Sequence, residues 1–200
     1  MTHALPYWHV DAFADRPFAG NQAAVMPLEN WLDDAVMLAI AEENLFAETA
    51  FVVRDTTGEA DWELRWFTPT EEVRLCGHAT LASGHVLLAR DGGERVTFRT
   101  RRAGLLAVER SGDAYELALP LIRTERGDWP EAVALLGAQP QEVWLNPDGY
   151  GVYLFADAAT VSALDPDLRG LGALGNDQFI CTALGTDTDV VSRVFVPGGG

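Results

Sequence analysis

The 200-residue chain contains no lysine; all fourteen of its basic residues are arginine. Pyridoxal phosphate chemistry and Schiff-base aldol chemistry both need a lysine amine, and a phosphate-cradling P-loop needs its lysine, so all three are excluded. Cysteine is almost as scarce. Cys76 and Cys181 are the only two, at a separation matching no zinc or redox signature, which argues against a disulfide framework or structural metal. Positive charge is short too: a formal net charge of -16 argues against nucleic acid, whose phosphates are held by clustered cations. The five arginines from Arg90 to Arg102 are interspersed with Asp91 and Glu94 and read as a solvated, salt-bridged face. No apolar run approaches the roughly 18 residues of a membrane span, and no basic-then-apolar leader opens the chain. A cytoplasmic protein without a membrane partner is therefore expected.

What is present suits an ordinary globular chain, with 48% hydrophobic and 22% charged residues. Short segments rich in aromatic and β-branched residues, separated by Gly, Pro, Asp and Asn, predict strands near Tyr7 to Phe13, Ala23 to Pro27, Thr49 to Arg54, Trp62 to Thr68, Arg95 to Arg101, Leu105 to Arg110 and Tyr115 to Leu119. Later strands are expected near Glu142 to Asn146, Gly151 to Phe155, Phe179 to Ala183 and Val190 to Val196. Asn30, with Asp33 three residues on, predicts a capped helix over 31–43. Further helices are expected from Gly77 to Arg90, Pro130 to Leu136 and Ala158 to Leu164. Strands and helices do not alternate strictly, which favours an α+β arrangement. A boundary near Leu119-Pro120 divides an N-terminal lobe, 1–119, from a C-terminal lobe, 120–200. Arg65-Trp66-Phe67-Thr68-Pro69 and Arg193-Val194-Phe195-Val196-Pro197 share R-x-F-x-P at strand ends, an echo that supports two lobes.

Two places can carry chemistry. Leu75-Cys76-Gly77-His78-Ala79-Thr80 should open the second helix, where unpaired amides and the helix dipole favour an anion such as a substrate carboxylate. The same field would lower a thiol pKa, making Cys76 a candidate thiolate base, against the alternative of an inert buried cysteine. His78 and His85 are seven apart, two turns, too far to share one small metal ion, so no metal is expected. Ser83 with His78 lacks a nucleophile-elbow context for a triad. Glu48 opens the apolar strand Thr49-Ala50-Phe51-Val52-Val53, where partial desolvation suits a carboxyl to proton transfer. The competing reading is a surface acid, since residues 31–72 hold eleven acids and two arginines.

The motifs are more specific together. Val10-Asp11-Ala12-Phe13, Arg16-Pro17-Phe18-Ala19-Gly20-Asn21-Gln22-Ala23-Ala24-Val25, Glu48-Thr49-Ala50-Phe51-Val52, Arg65-Trp66-Phe67-Thr68-Pro69 and Leu75-Cys76-Gly77-His78-Ala79-Thr80 resemble, in order and spacing, the PhzF-like phenazine-biosynthesis family. The resemblance implies a diaminopimelate-epimerase-like fold: two similar lobes, each a curved, mostly antiparallel sheet around a central helix, with the site in the cleft between them. It implies a cofactor-independent isomerase that forms a homodimer, in which Glu48 moves a proton between carbons of a small carboxylated substrate. His78 and the Gly77 backbone would hold and polarise that substrate, Cys76 would line it, and Gly20-Asn21 would form a nearby turn.

Three departures stand out. Ala47 replaces the family's usual Ser before the glutamate. Cys76 resembles one cysteine of diaminopimelate epimerase, but Cys181 does not sit at the position of its partner. The family's second site loop, an Asp-Pro then a Gly-Ser-Ala stretch, is expected after Pro197, yet only Gly198-Gly199-Gly200 follow. That implies a truncated second lobe and a weakly active or inactive form. The alternatives are an amino-acid epimerase using Cys76 and a non-catalytic fold that binds a small anion or a protein.

Overall fold

The computed structural model describes residues 4–198; Gly199 and Gly200, which follow the point where the second site loop was expected to begin, lie outside them. The chain divides after Pro120 into two compact units.

The first unit runs β1 (Trp8–Ala12), β2 (Asn21–Leu28), α1 (Asp34–Asn44), β3 (Glu48–Arg54), β4 (Trp62–Phe67), β5 (Glu72–Val73), α2 (Gly77–Asp91), β6 (Arg95–Thr100), β7 (Leu105–Ser111) and β8 (Ala114–Ala118). Its sheet has the order β1-β2-β3-β4-β6-β7-β8, with β5 paired to β4. The β2–β3 and β4–β6 pairs are parallel and the others antiparallel. Helix α2 meets β1, β2, β3, β6, β7 and β8. One helix can touch strands so far apart in the order only if the sheet curls around it.

Side-chain alternation explains why the central strands are apolar on both faces. In β2 and β3, Ala23, Val25, Ala50 and Val52 pack in the core that contains Ala79, Val86 and Leu87 of α2. The intervening Met26, Leu28, Phe51 and Val53 pack with Met37 and Ala41 of α1. Close approach of α2 to the sheet depends on Gly84: a Cβ there would lie 2.5 Å from Val108. That spacing leaves no room for any side chain.

Helix α1 starts three residues later than predicted, and Asn30 is not its cap. Trp31 Nε1 donates to Glu63 at 3.2 Å, and Trp31 and Leu32 pack against the α1-side core. These tertiary contacts hold the segment extended until Asp33, whose carbonyl accepts from Val36 and Met37. Local capping preference loses to packing here.

The second unit contains β9 (Glu125–Gly127), α3 (Pro130–Leu136), β10 (Glu142–Asn146), β11 (Tyr150–Leu154), α4 (Ala158–Ala163), α5 (Leu168–Leu174), β12 (Gln178–Leu184) and β13 (Val190–Phe195). The sheet order is β13-β12-β11-β10-β9, with only β11–β12 parallel. Its core joins Leu136, Tyr153, Phe155, Val161, Leu171, Phe179 and Cys181. The described residues of this unit hold three helices of six or seven residues. Among the described residues, no helix is long and apolar enough to cross a membrane.

Candidate active site

Strand register and helix entry bring Glu48, Cys76 and His78 together. Glu48 is the first residue of β3 and pairs with Ala23 of the parallel neighbour β2. Counting in twos from Ala50 and Val52 places its side chain on the α2 face. Cys76 precedes the first turn of α2 in extended conformation, and its carbonyl accepts from the Thr80 amide at 3.2 Å and the Thr80 hydroxyl at 2.5 Å. This fixes the helix entry beside the start of β3.

Within the cluster, His78 links both neighbours through different ring nitrogens. Nδ1 lies 3.4 Å from Cys76 Sγ, and Nε2 lies 3.1 Å from Glu48 Oε2 and 3.3 Å from the Gln22 carbonyl oxygen. The Nε2 proton is aligned with the Gln22 carbonyl. Glu48 Oε2 is buried and receives no aligned hydrogen bond, although it lies beside His78 Nε2. An acceptor oxygen that is shielded from water and left without an aligned donor keeps an unmet hydrogen-bonding capacity.

The thiolate expectation for Cys76 is overturned. Burial, followed by the adjacent Glu48 charge, pushes its thiol well above the ordinary range; the amides of Ala79 and His78 pull the other way without offsetting it. The helix field is present, but a buried sulfur beside a carboxylate stays protonated. Ser83 is no nucleophile either, because its hydroxyl donates to the Ala79 carbonyl at 2.7 Å. His85 sits away from the cluster, its Nδ1 3.1 Å from the Tyr115 hydroxyl. Cys181 lies in the core of the second unit, its thiol raised to about 12 mainly by burial.

The two other predicted site positions flank the start of β2. Gly20 is required by space: a Cβ would run into the Ala12 carbonyl oxygen and lie 2.8 Å from Asp11 C. Asn21 follows, exposed, paired with Ala12. Gly77 is not demanded in this way, since a Cβ there would meet only Leu119 at 3.4 Å. Sequence reasoning missed two groups. One is the Gln22 carbonyl, invisible as a side-chain pattern. The other is Asp11, which accepts from the Phe18 amide at 2.8 Å while its Oδ1 is buried without a partner; the Val10-Asp11-Ala12-Phe13 motif was the available signal.

Backbone strain gathers at the same end of the sheet. Phe13 and Phe18 in the connection entering β2, and Leu45 in the connection entering β3, have φ of 61°, 65° and 55°, with exposed side chains. Left-handed backbone costs an L-residue about 1–2 kcal/mol, and such strain concentrates near functional sites. A hollow beside α3, lined by Asp128, Pro130, Val133, Ala134 and Gln139, offers one carboxylate and no nucleophile.

Residues 10–200 match the family model PhzC-PhzF, described as phenazine biosynthesis-like protein. An uncharacterized isomerase of Pseudomonas aeruginosa is 46% identical over 200 residues, covering 98% of this chain and 74% of that protein. An uncharacterized isomerase of Halalkalibacterium halodurans is 36% identical over 202 residues, with the same coverage. A crystal structure of a PhzF-family phenazine biosynthesis protein from Enterococcus faecalis superposes with a TM-score of 0.83 at 42% identity, covering 97% of this chain and 74% of that one. The relatives' names and this fold are those of an isomerase family, and the chain belongs to it: it is a member of the phenazine biosynthesis-like (PhzC-PhzF) family.

Proposed function

We propose that the protein is an isomerase that moves a proton between two carbons of a small carboxylated substrate, with Glu48 as the acid/base. The observation that carries this reading is the Glu48 Oε2 atom, buried, without an aligned donor, and 3.1 Å from His78 Nε2. A carboxylate in that state can take a proton from a carbon acidified by a neighbouring carboxyl or carbonyl group. The same oxygen returns the proton to a second carbon, so the reaction needs no net acid, base, oxidant or reductant. His78, held by the Gln22 carbonyl, orients the carboxylate and polarises the substrate. The amide end of α2 at Gly77 supplies an anchor for the substrate carboxylate.

Cys76 fits a lining role. A protonated, buried thiol between His78 and Glu48 is a poor base, which disfavours the two-thiol epimerase reading. The absence of lysine removes imine-forming alternatives.

The test is solvent deuterium incorporation into a panel of small carboxylic acids bearing an acidified C–H bond. Wild-type protein is expected to exchange at least one member, and Glu48→Gln to lower that rate by about 100-fold to 10,000-fold, the usual worth of a positioned general base. Equal rates for the two would refute the assignment.

A further inference from the structure

Glu48, Cys76 and His78 present one carboxylate oxygen, one sulfur and one ring nitrogen, all within 4.8 Å of one another. Three different donor types converge from two elements, the start of β3 and the entry of α2. Metal bonds of about 2.0–2.3 Å place neighbouring donors of a tetrahedral ion roughly 3.3–3.6 Å apart, so the Glu48 carboxylate would close on the other two by side-chain rotation. The Sγ to Nδ1 separation of 3.4 Å already falls in that range.

The surroundings are also those of a metal ligand set. His78 Nε2 donates to the Gln22 carbonyl, which fixes the tautomer and turns the Nδ1 lone pair toward Cys76. That is the usual outer arrangement of a metal-bound imidazole. The amides of Ala79 and His78 beside the Cys76 sulfur would stabilise it once a cation displaces its proton to solvent. Three protein ligands leave a fourth tetrahedral position open.

We propose that Glu48, Cys76 and His78 form a binding site for a thiophilic divalent cation, zinc foremost, whose occupancy blocks Glu48 and so inhibits the protein. Binding exchanges one S–H bond for one S–Zn bond and releases the thiol proton to solvent, with no change in oxidation state. The inhibitory half rests on the acid/base role of Glu48 proposed above. The binding half does not.

The experiment titrates the full chain with zinc sulfate against a chromophoric chelator, and with cobalt(II) as a spectroscopic probe. One zinc per chain is expected, with a sulfur-to-cobalt charge-transfer band in the near ultraviolet. Cys76→Ala should lose the band and weaken zinc binding by more than about 100-fold, beyond the loss expected from removing an outer-sphere partner alone. Cys181→Ala should keep both. Circular dichroism checks that the variants fold, and Cys76→Ser serves if Cys76→Ala does not. Zinc bound equally by wild type and the Cys76 variant, or no stoichiometric zinc in wild type, would overturn the site. Deuterium exchange read with and without zinc separates the two proposals. Zinc bound with exchange undiminished supports the site and contradicts the role of Glu48; no zinc with exchange intact contradicts the site and leaves that role standing.

Discussion

Arg65 of the first unit and Arg193 of the second occupy the same place in the R-x-F-x-P echo, and each lies over the phenylalanine two residues on, at 5.0 Å and 4.9 Å from the ring centre. Period-two alternation puts arginine and phenylalanine on one face of a strand, so a short sequence repeat becomes a repeated contact. Their partners differ. Arg65 is 3% exposed and binds Glu72 through two nitrogens and Asp34 through the third, at 2.7–2.8 Å. Arg193 is half-buried and donates to the neutral carbonyls of Val161, Ser162 and Leu164 at the end of α4. One arginine neutralises charge across β4, β5 and α1; the other closes a helix end. A motif can thus conserve a local contact while serving different structural ends in the two units.

Substituting each arginine tests that contrast most strongly. Arg65→Met is expected to cost about 3 kcal/mol in urea unfolding, the low end for breaking a buried pair because Asp34 remains solvated. Arg193→Met should cost about 1.5 kcal/mol, the loss of charge-assisted bonds to carbonyls that water can partly replace. Equal losses would show that the two copies do the same work.

Two glycines separate the units by mechanism as well. Gly84→Ala forces a methyl group against Val108 and should destabilise by about 2 kcal/mol through overpacking. Gly137→Ala, at the left-handed end of α3 with φ of 82°, has space for the methyl group and should lose only about 1 kcal/mol, the backbone penalty. A Gly137→Ala loss exceeding that of Gly84→Ala would contradict the close α2–β7 packing.

The smallest contrast lies in the acid limb of stability. Arg65 holds the Glu72 carboxyl below its ordinary range, chiefly by hydrogen bonding. A depressed folded pKa stabilises above the unfolded carboxyl value of about 4.3 and is lost as pH falls through the folded value. Stability of the wild type should therefore decline below about pH 4.3, and Arg65→Met should flatten that decline. Arg193→Met should leave it unchanged, since its partners are uncharged. Unfolding midpoints between roughly pH 5 and 3 would check both expectations.

Much of this architecture was legible where a segment's own pattern and its packing agree. The strand at Glu48–Arg54 and the helix at Gly77–Asp91 carry their signals locally, in a short continuous apolar, β-branched run and in an Ala-rich run. Glu72–Val73 was not legible, being two residues long and defined only by pairing with Trp66 and Phe67. Helix α5 was hidden by Gly170 and Gly172, poor helix formers accommodated by close contacts to Leu135 and to the backbone of Pro197. At the site, the residues could be named in advance, but the thiol's state could not. The helix end alone would lower the thiol pKa; burial, and the carboxylate delivered by β3 through the sheet register, outweigh it. The donor set formed with Cys76 was missed likewise, because ligand spacing along one helix cannot reveal a partner from a strand.

The most direct measurement is the exchange of solvent deuterium into a small carboxylated substrate, compared between wild type and Glu48→Gln at matched folded concentration. The account predicts exchange in wild type that falls by at least about 100-fold in the variant. Exchange that persists at the wild-type rate would contradict Glu48 as the proton carrier.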